Sequence, residues 1–187
     1  MANVTFRLVV IGITFSLLAT MGCGKDSPTA PTVPTQPPPP QFPSVLGTYQ
    51  SSRFLVSTAT HLETGTAVQL ECEGQLTISS QNGSQYSGSF IRRTCRSGGQ
   101  IVSTDVRSGT LSGTVRTDGG TNMGLFAPGA PTLLAGLASL GCAILSSSTE
   151  YNGAFAGANV TVSASVTASC STVPGTLLIN QTISGNR

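Results

Sequence analysis

From Val160 to Cys170 every second residue is apolar. Val160, Val162, Ala164, Val166, Ala168 and Cys170 alternate with Thr161, Ser163, Ser165, Thr167 and Ser169. Successive side chains of an extended strand point to opposite faces, so this period builds a strand with one buried and one wet face. On a helix the same residues would scatter around the axis and form no stripe. The pattern recurs elsewhere. Leu111, Gly113 and Val115 alternate with Thr110, Ser112, Thr114 and Arg116, while Val68, Leu70, Cys72, Gly74, Leu76 and Ile78 form another apolar row. Turn residues punctuate the rows. Asn82-Gly83 and Asp118-Gly119-Gly120 supply the positive φ that tight hairpins need. These signals place strands near 46–56, 67–79, 84–93, 100–107, 109–117, 121–127, 141–148, 150–157, 159–170 and 176–184. Residues Pro131–Leu140, with the run Leu-Leu-Ala-Gly-Leu-Ala, read equally as a short helix or an apolar loop.

About ten short strands joined by tight turns predict an all-β domain, an antiparallel up-and-down meander of about 8–10 strands. Closing that meander into a barrel removes its exposed edges; a two-sheet β-sandwich is the alternative. Two segments share a Tyr-x-Gly-x-Phe spacing, Tyr86–Phe90 and Tyr151–Phe155, which puts Tyr, Gly and Phe on one face. A glycine there lets a strand bend or approach its neighbour closely. Gly47-Thr48-Tyr49 resembles the Gly-x-Trp opening of lipocalin-like barrels, with Tyr in place of Trp. That resemblance implies a barrel in which the last strand, from Thr176 to Gly185, returns to pair with the first. The mouth or interior of such a barrel is the expected site for a small apolar ligand, with Tyr49, Phe90, Phe126 and Phe155 as candidate lining residues. The same residues would serve equally as plain core.

The N-terminus carries an address. Residues 1–22 comprise a short region with Arg7 as its one charge, an apolar stretch from Leu8 to Ala19, and small residues before Cys23. Those are the parts of a secretory signal, and the apolar stretch is shorter than the ~20 residues a membrane-spanning helix needs. Leu18-Ala19-Thr20-Met21-Gly22-Cys23 resembles the lipobox of bacterial lipoproteins. The resemblance implies diacylglyceryl transfer to the Cys23 thiol, cleavage before it and acylation of the new amino group. Several acyl chains anchor stably where one holds marginally. Gly24 stands where an Asp would favour retention in the inner membrane, which points to the outer membrane of an envelope that has one. Between Gly24 and Pro43 lie eight of the eleven prolines. Proline fixes φ and removes the N–H, so this segment reads as an extended tether reaching up to ~60 Å. Three regions follow: signal 1–22, lipidated cysteine and tether 23–43, and a single β domain 44–187.

Four cysteines remain after Cys23, and an even number in an exported chain points to disulfides. Three pairings are possible; spacing around predicted turns favours Cys72–Cys95 and Cys142–Cys170. One parity conflicts, since Cys95 falls in step with Ile91 and not with Phe90. A bulge near Arg92-Arg93 would repair it.

Little in the domain points to catalysis. His61 is the single histidine and sits in His61-Leu62-Glu63-Thr64-Gly65, which reads as an exposed loop. A Ser or Cys nucleophile usually needs an activating base, and His61 is the one candidate histidine. Glu71 and Glu73 flank Cys72 on the opposite, solvent face, placed to pair with Arg92, Arg93 or Arg96 across the hairpin. The three arginines could alternatively bind an anion. No spacing points to a metal site or cofactor. Seven Arg against six acids in the domain leave a charge of +1, too little to collect nucleic acid. The expected partners are therefore the membrane through the N-terminal lipid, and a small apolar ligand or an envelope protein. The chain is expected not to be an enzyme.

Overall fold

In a computed structural model, residues 37–128, 137–138, 141–148, 150–171 and 174–187 are described. The signal, Cys23 and most of the tether fall outside these residues, as does most of Pro131–Leu140. One compact unit runs from Pro39 to Arg187.

Ten antiparallel strands form: β1 (Gly47–His61), β2 (Ala67–Asn82), β3 (Gln85–Ser97), β4 (Gln100–Ser103), β5 (Arg107–Val115), β6 (Gly120–Phe126), β7 (Cys142–Ser147), β8 (Tyr151–Ala156), β9 (Asn159–Cys170) and β10 (Thr176–Asn186). Neighbours run β1-β2-β3-β5-β6-β8-β9-β10, and β10 pairs back onto β1 from Gln50↔Asn186 to His61↔Leu177. The result is an eight-stranded up-and-down barrel with two extra strands, so the returning last strand is present.

The extra strands are halves of broken ones. β4 and β5 lie end to end along one edge of β3, at Ser97–Cys95 and then Arg92–Gln85. β7 and β8 lie end to end along β9 in the same way. Between them β6 is short: it reaches β8 only from Gly120 to Met123 and ends against Thr110 of β5. Beyond β6, among the described residues, no strand pairs β4 to β7, and these two form the edges of a gap in the sheet. We call this the split end, and the opposite end the closed end.

Side-chain parity fills the closed end. Tyr49, Phe54, Leu76, Ile78, Tyr86, Phe90, Leu111, Val115, Met123, Phe155, Val160, Val162 and Ile183 pack into one buried cluster. The alternation of β9 appears as expected, with Val160, Val162, Val166, Ala168 and Cys170 all buried. The chain entering β1 caps this end. The Val45 N–H donates to Gln81 Oε1 (2.9 Å), Gln81 Nε2 donates to the Pro43 carbonyl (2.9 Å), and the Tyr49 hydroxyl donates to the Val45 carbonyl (3.0 Å). Arg187 closes the other side, donating to the carbonyls of Leu46 (2.7 Å) and Gly157 (3.0 Å) with its guanidinium 5.3 Å from the Tyr49 ring centre.

Both disulfides, Cys72–Cys95 and Cys142–Cys170, join directly opposed residues towards the split end. The parity conflict is resolved by a bulge. From Cys72 to Gly74 β2 advances two residues, while β3 advances three from Cys95 to Arg92. The extra residue lies between Arg92 and Cys95, beside the dipeptide expected to hold it. A second bulge in β1 brings Leu55 opposite Cys72 and turns Phe54 inward over Gly74, where any Cβ would collide with the ring.

Four expectations about strands and turns change; the expected strand 100–107 ends at Ser103, and β5 begins at Arg107. The β2–β3 hairpin loop is Gly83-Ser84, since Asn82 pairs with Gln85 and of the two loop residues Gly83 (φ 59°) has positive φ. β1 continues five residues past its expected end at 56, because β10 and β2 pair with it to the last turn. Val68 keeps its inward parity but is exposed, because β2 pairs with β3 only from Glu71 onward and leaves Val68 with β1 as its one strand neighbour among the described residues.

Candidate functional site

The bore was the expected ligand site. Tyr49, Phe90 and Phe155 point into it, and there they form core. The Phe155 ring lies 5.5 Å from Tyr49 and 5.5 Å from Tyr86, edge-on to the latter. The Tyr86 hydroxyl meets Thr121 Oγ1 at 2.7 Å, and burial pushes its pKa up to about 12. The Tyr151 hydroxyl donates to Gln181 Oε1 (2.6 Å) and is likewise pushed by burial to about 12. Both phenols therefore stay neutral at any physiological pH and act as satisfied core groups. Phe126 requires correction as a lining residue. On β6 the inward row is Thr121, Met123 and Leu125, so Phe126 points outward and is 65% exposed.

Phe126 is not isolated. Ile101 and Val102 on β4, Val106 at the β4–β5 break, and Ile144 and Leu145 on β7 are also exposed. All belong to elements bordering the gap. At the split end a second, smaller core joins Leu137, Val166, Ala168 and Ile179 to the Cys142–Cys170 bridge. Leu137 and Ala138, the described part of the segment that read as helix or loop, are helical.

The charged candidates separate. Arg96 pairs with Glu73 across the hairpin, as expected, whereas Glu71 turns the other way and pairs with Arg53 at 2.6 Å. Both carboxylates lie on the outer face, and such exposed pairs contribute under ~1 kcal/mol each. Arg93 sits exposed on the bulge. Arg92 differs from both neighbours. In register with Gly74 it lies on the inward row of Phe90, and its Nε is buried without a hydrogen-bond partner among the described residues. Across β5 it stands directly opposite Arg107, which sequence reading placed at the end of β4. The signal was available: Arg107 is in step with Gly109, Leu111, Gly113 and Val115, the inward row already identified.

His61 also needs correcting. It ends β1, its side chain is 17% exposed, and Nε2 lies 2.8 Å from the Pro174 carbonyl. Its Nδ1 accepts from the Thr64 N–H (3.3 Å), so the ring is a strut between the β1–β2 loop and the approach to β10. The neighbouring Glu63 carboxylate accepts the Thr176 N–H (2.9 Å), which holds its pKa below the ordinary value. Among the described residues no cluster of three or more His, Cys, Asp or Glu could hold a metal.

A trough of 470 Å³ lies on the outer face of β3, β5 and β6, lined by Ser87, Ser112, Thr114, Asn122 and Glu150 among others. It is open, and most of its lining residues are Ser, Thr, Asn or Gln, unlike those of an enclosed apolar pocket.

No family model matches the chain, and no curated protein does. One solved structure is similar in fold, that of EF1p2_mFAP2b bound to DFHBI, with 14% identity and a TM-score of 0.37 over 76% of this chain and 93% of that one.

Proposed function

We propose that this chain is a lipid-anchored lipoprotein of the bacterial cell envelope whose barrel acts from its outer surface, as a structural or protein-interaction module with no catalytic role. The observation that carries this reading is the filled bore. Tyr49, Leu76, Met123 and Ile183 are fully buried there, and a ligand of several hundred Å³ would have to displace them. The exposed apolar residues bordering the gap favour a protein partner over a carried small molecule. Anchoring is supported by the lipobox-like residues ending in Cys23 and by the proline-rich stretch after them. With Gly24 behind the cysteine, the outer membrane is the proposed location in an envelope that has one.

Detergent phase separation of cells expressing the protein tests the anchor. The wild type should enter the detergent phase with a mature N-terminus at Cys23. Cys23→Ala should move essentially all the protein to the aqueous phase or leave it unprocessed, with the barrel still folded. A wild type found in the aqueous phase would refute the anchor.

A further inference from the structure

The rim of the gap contains a charge arrangement that folding alone does not explain. Arg92 and Arg107 are directly opposed on adjacent strands, both on the inward row. Like charges in that position repel. Arg92 is half-buried and its Nε has no acceptor among the described residues. Burial first, and Arg107 second, push its pKa down, against a smaller upward pull from Asp105. A buried donor left unpaired carries its full desolvation cost, so natural structures contain few of them.

The acids of the domain are otherwise engaged. Glu71 serves Arg53, Glu73 serves Arg96 and Asp118 serves Arg116, while Glu63 takes the Thr176 N–H. Glu150 lines the outer trough. Asp105 is the one acid at the rim; it approaches Arg107 at 3.8 Å with its side chain 72% exposed. The sequence holds no other Asp or Glu after Asp26. One exposed carboxylate thus faces two guanidiniums at the rim, which leaves an excess of positive charge there.

We propose that Arg92 and Arg107 form an oxyanion site at the split rim that takes a phosphate group. Two planar guanidinium forks on neighbouring strands can each donate paired N–H bonds to a tetrahedral anion. The anion would satisfy the buried Nε and turn the Arg–Arg repulsion into shared attraction. Asp105 would steady Arg107 from outside. Exposed Val106 and the Ile101-Val102 edge lie along the chain next to the site, so a phosphate carrying an apolar group would find contacts there. This site does not depend on the lipid anchor or on the partner proposed above.

The test uses the full-length Cys23→Ala chain and inorganic phosphate against sodium chloride of equal ionic strength. Phosphate at a hundredfold over its Kd should raise Tm by about 5 °C or more. Arg92→Met should fold with an unchanged or higher Tm in chloride and lose the phosphate-dependent rise. Arg93→Met, altered at the exposed neighbour, should keep it. Should Arg92→Met fail to fold, Arg107→Met serves the same purpose. Cosedimentation with phosphatidic acid vesicles, but not with phosphatidylcholine vesicles, and its loss in the same variant, would identify a lipid headgroup as the source. Stabilisation by phosphate without vesicle binding would identify a soluble phosphate. No phosphate effect on the wild type, or an effect surviving in both arginine variants, would overturn the site.

Discussion

Phe155→Ala should destabilise the protein by about 3–5 kcal/mol, the usual cost of deleting a buried phenyl ring. Phe155 is 7% exposed and packs between Tyr49 and Tyr86 in the middle of the closed end. It belongs to β8, a strand of six residues, and its N–H donates to the Gly119 carbonyl (2.9 Å). The backbone on both sides is fixed by ladder bonds to β6 and β9, so the wall cannot move in to fill the hole. A domain stable by 5–15 kcal/mol would lose a large part of that. Phe126→Ala is the control: its ring lies in solvent, and the change should stay within about 0.5 kcal/mol. Urea unfolding of the two variants measures the difference. A cost below ~1 kcal/mol for Phe155→Ala would mean that the bore is loosely filled, and would return the interior to candidacy as a ligand site.

Removing either disulfide should cost on the order of 3 kcal/mol. The bridges close loops of 23 and 28 residues, and constraint of the unfolded chain scales slowly with that length. Their positions predict different local consequences. Among the described residues β7 pairs only with β9, so Cys142–Cys170 rivets an edge strand to the barrel. In the Cys142→Ala/Cys170→Ala double variant, amide exchange should rise first in residues 142–147 while the closed end stays protected. Cys72–Cys95 lies between two longer strands next to the bulge that aims Arg92. Its removal should lower the urea midpoint of the whole domain. Equal, uniform exchange in both double variants would contradict the division into a closed and a split end.

Much of this architecture could be read from residue order, because a two-residue period leaves little choice of face. The alternation in β9, the row Leu111-Gly113-Val115 and the turn glycines located ten strands. The mismatch between Cys72 and Cys95 foretold a bulge from parity alone. What failed was information that parity does not carry. Phe126 was grouped with the other aromatics by residue type, and counting from Met123 would have put it outside. Val68 obeyed its row but is exposed at the edge of the wall, since alternation does not say where a neighbouring strand stops. His61 looked like a loop residue because its acceptor, the Pro174 carbonyl, is 113 residues away. The breaks in β4–β5 and β7–β8 were legible only as strand ends. That they leave a gap in the sheet depends on β6 being short, a tertiary fact. Arg107 was missed for the same reason, as a strand boundary was drawn through the row that contains it.

Native mass spectrometry of the mature protein, extracted from membranes in mild detergent, tests the account as a whole. The expected mass is that of a polypeptide beginning at Cys23 with its acyl chains attached and four hydrogens lost to two disulfides, and with no apolar molecule bound. A stoichiometric apolar adduct, released only on unfolding, would contradict the filled bore and the outward-acting module built on it.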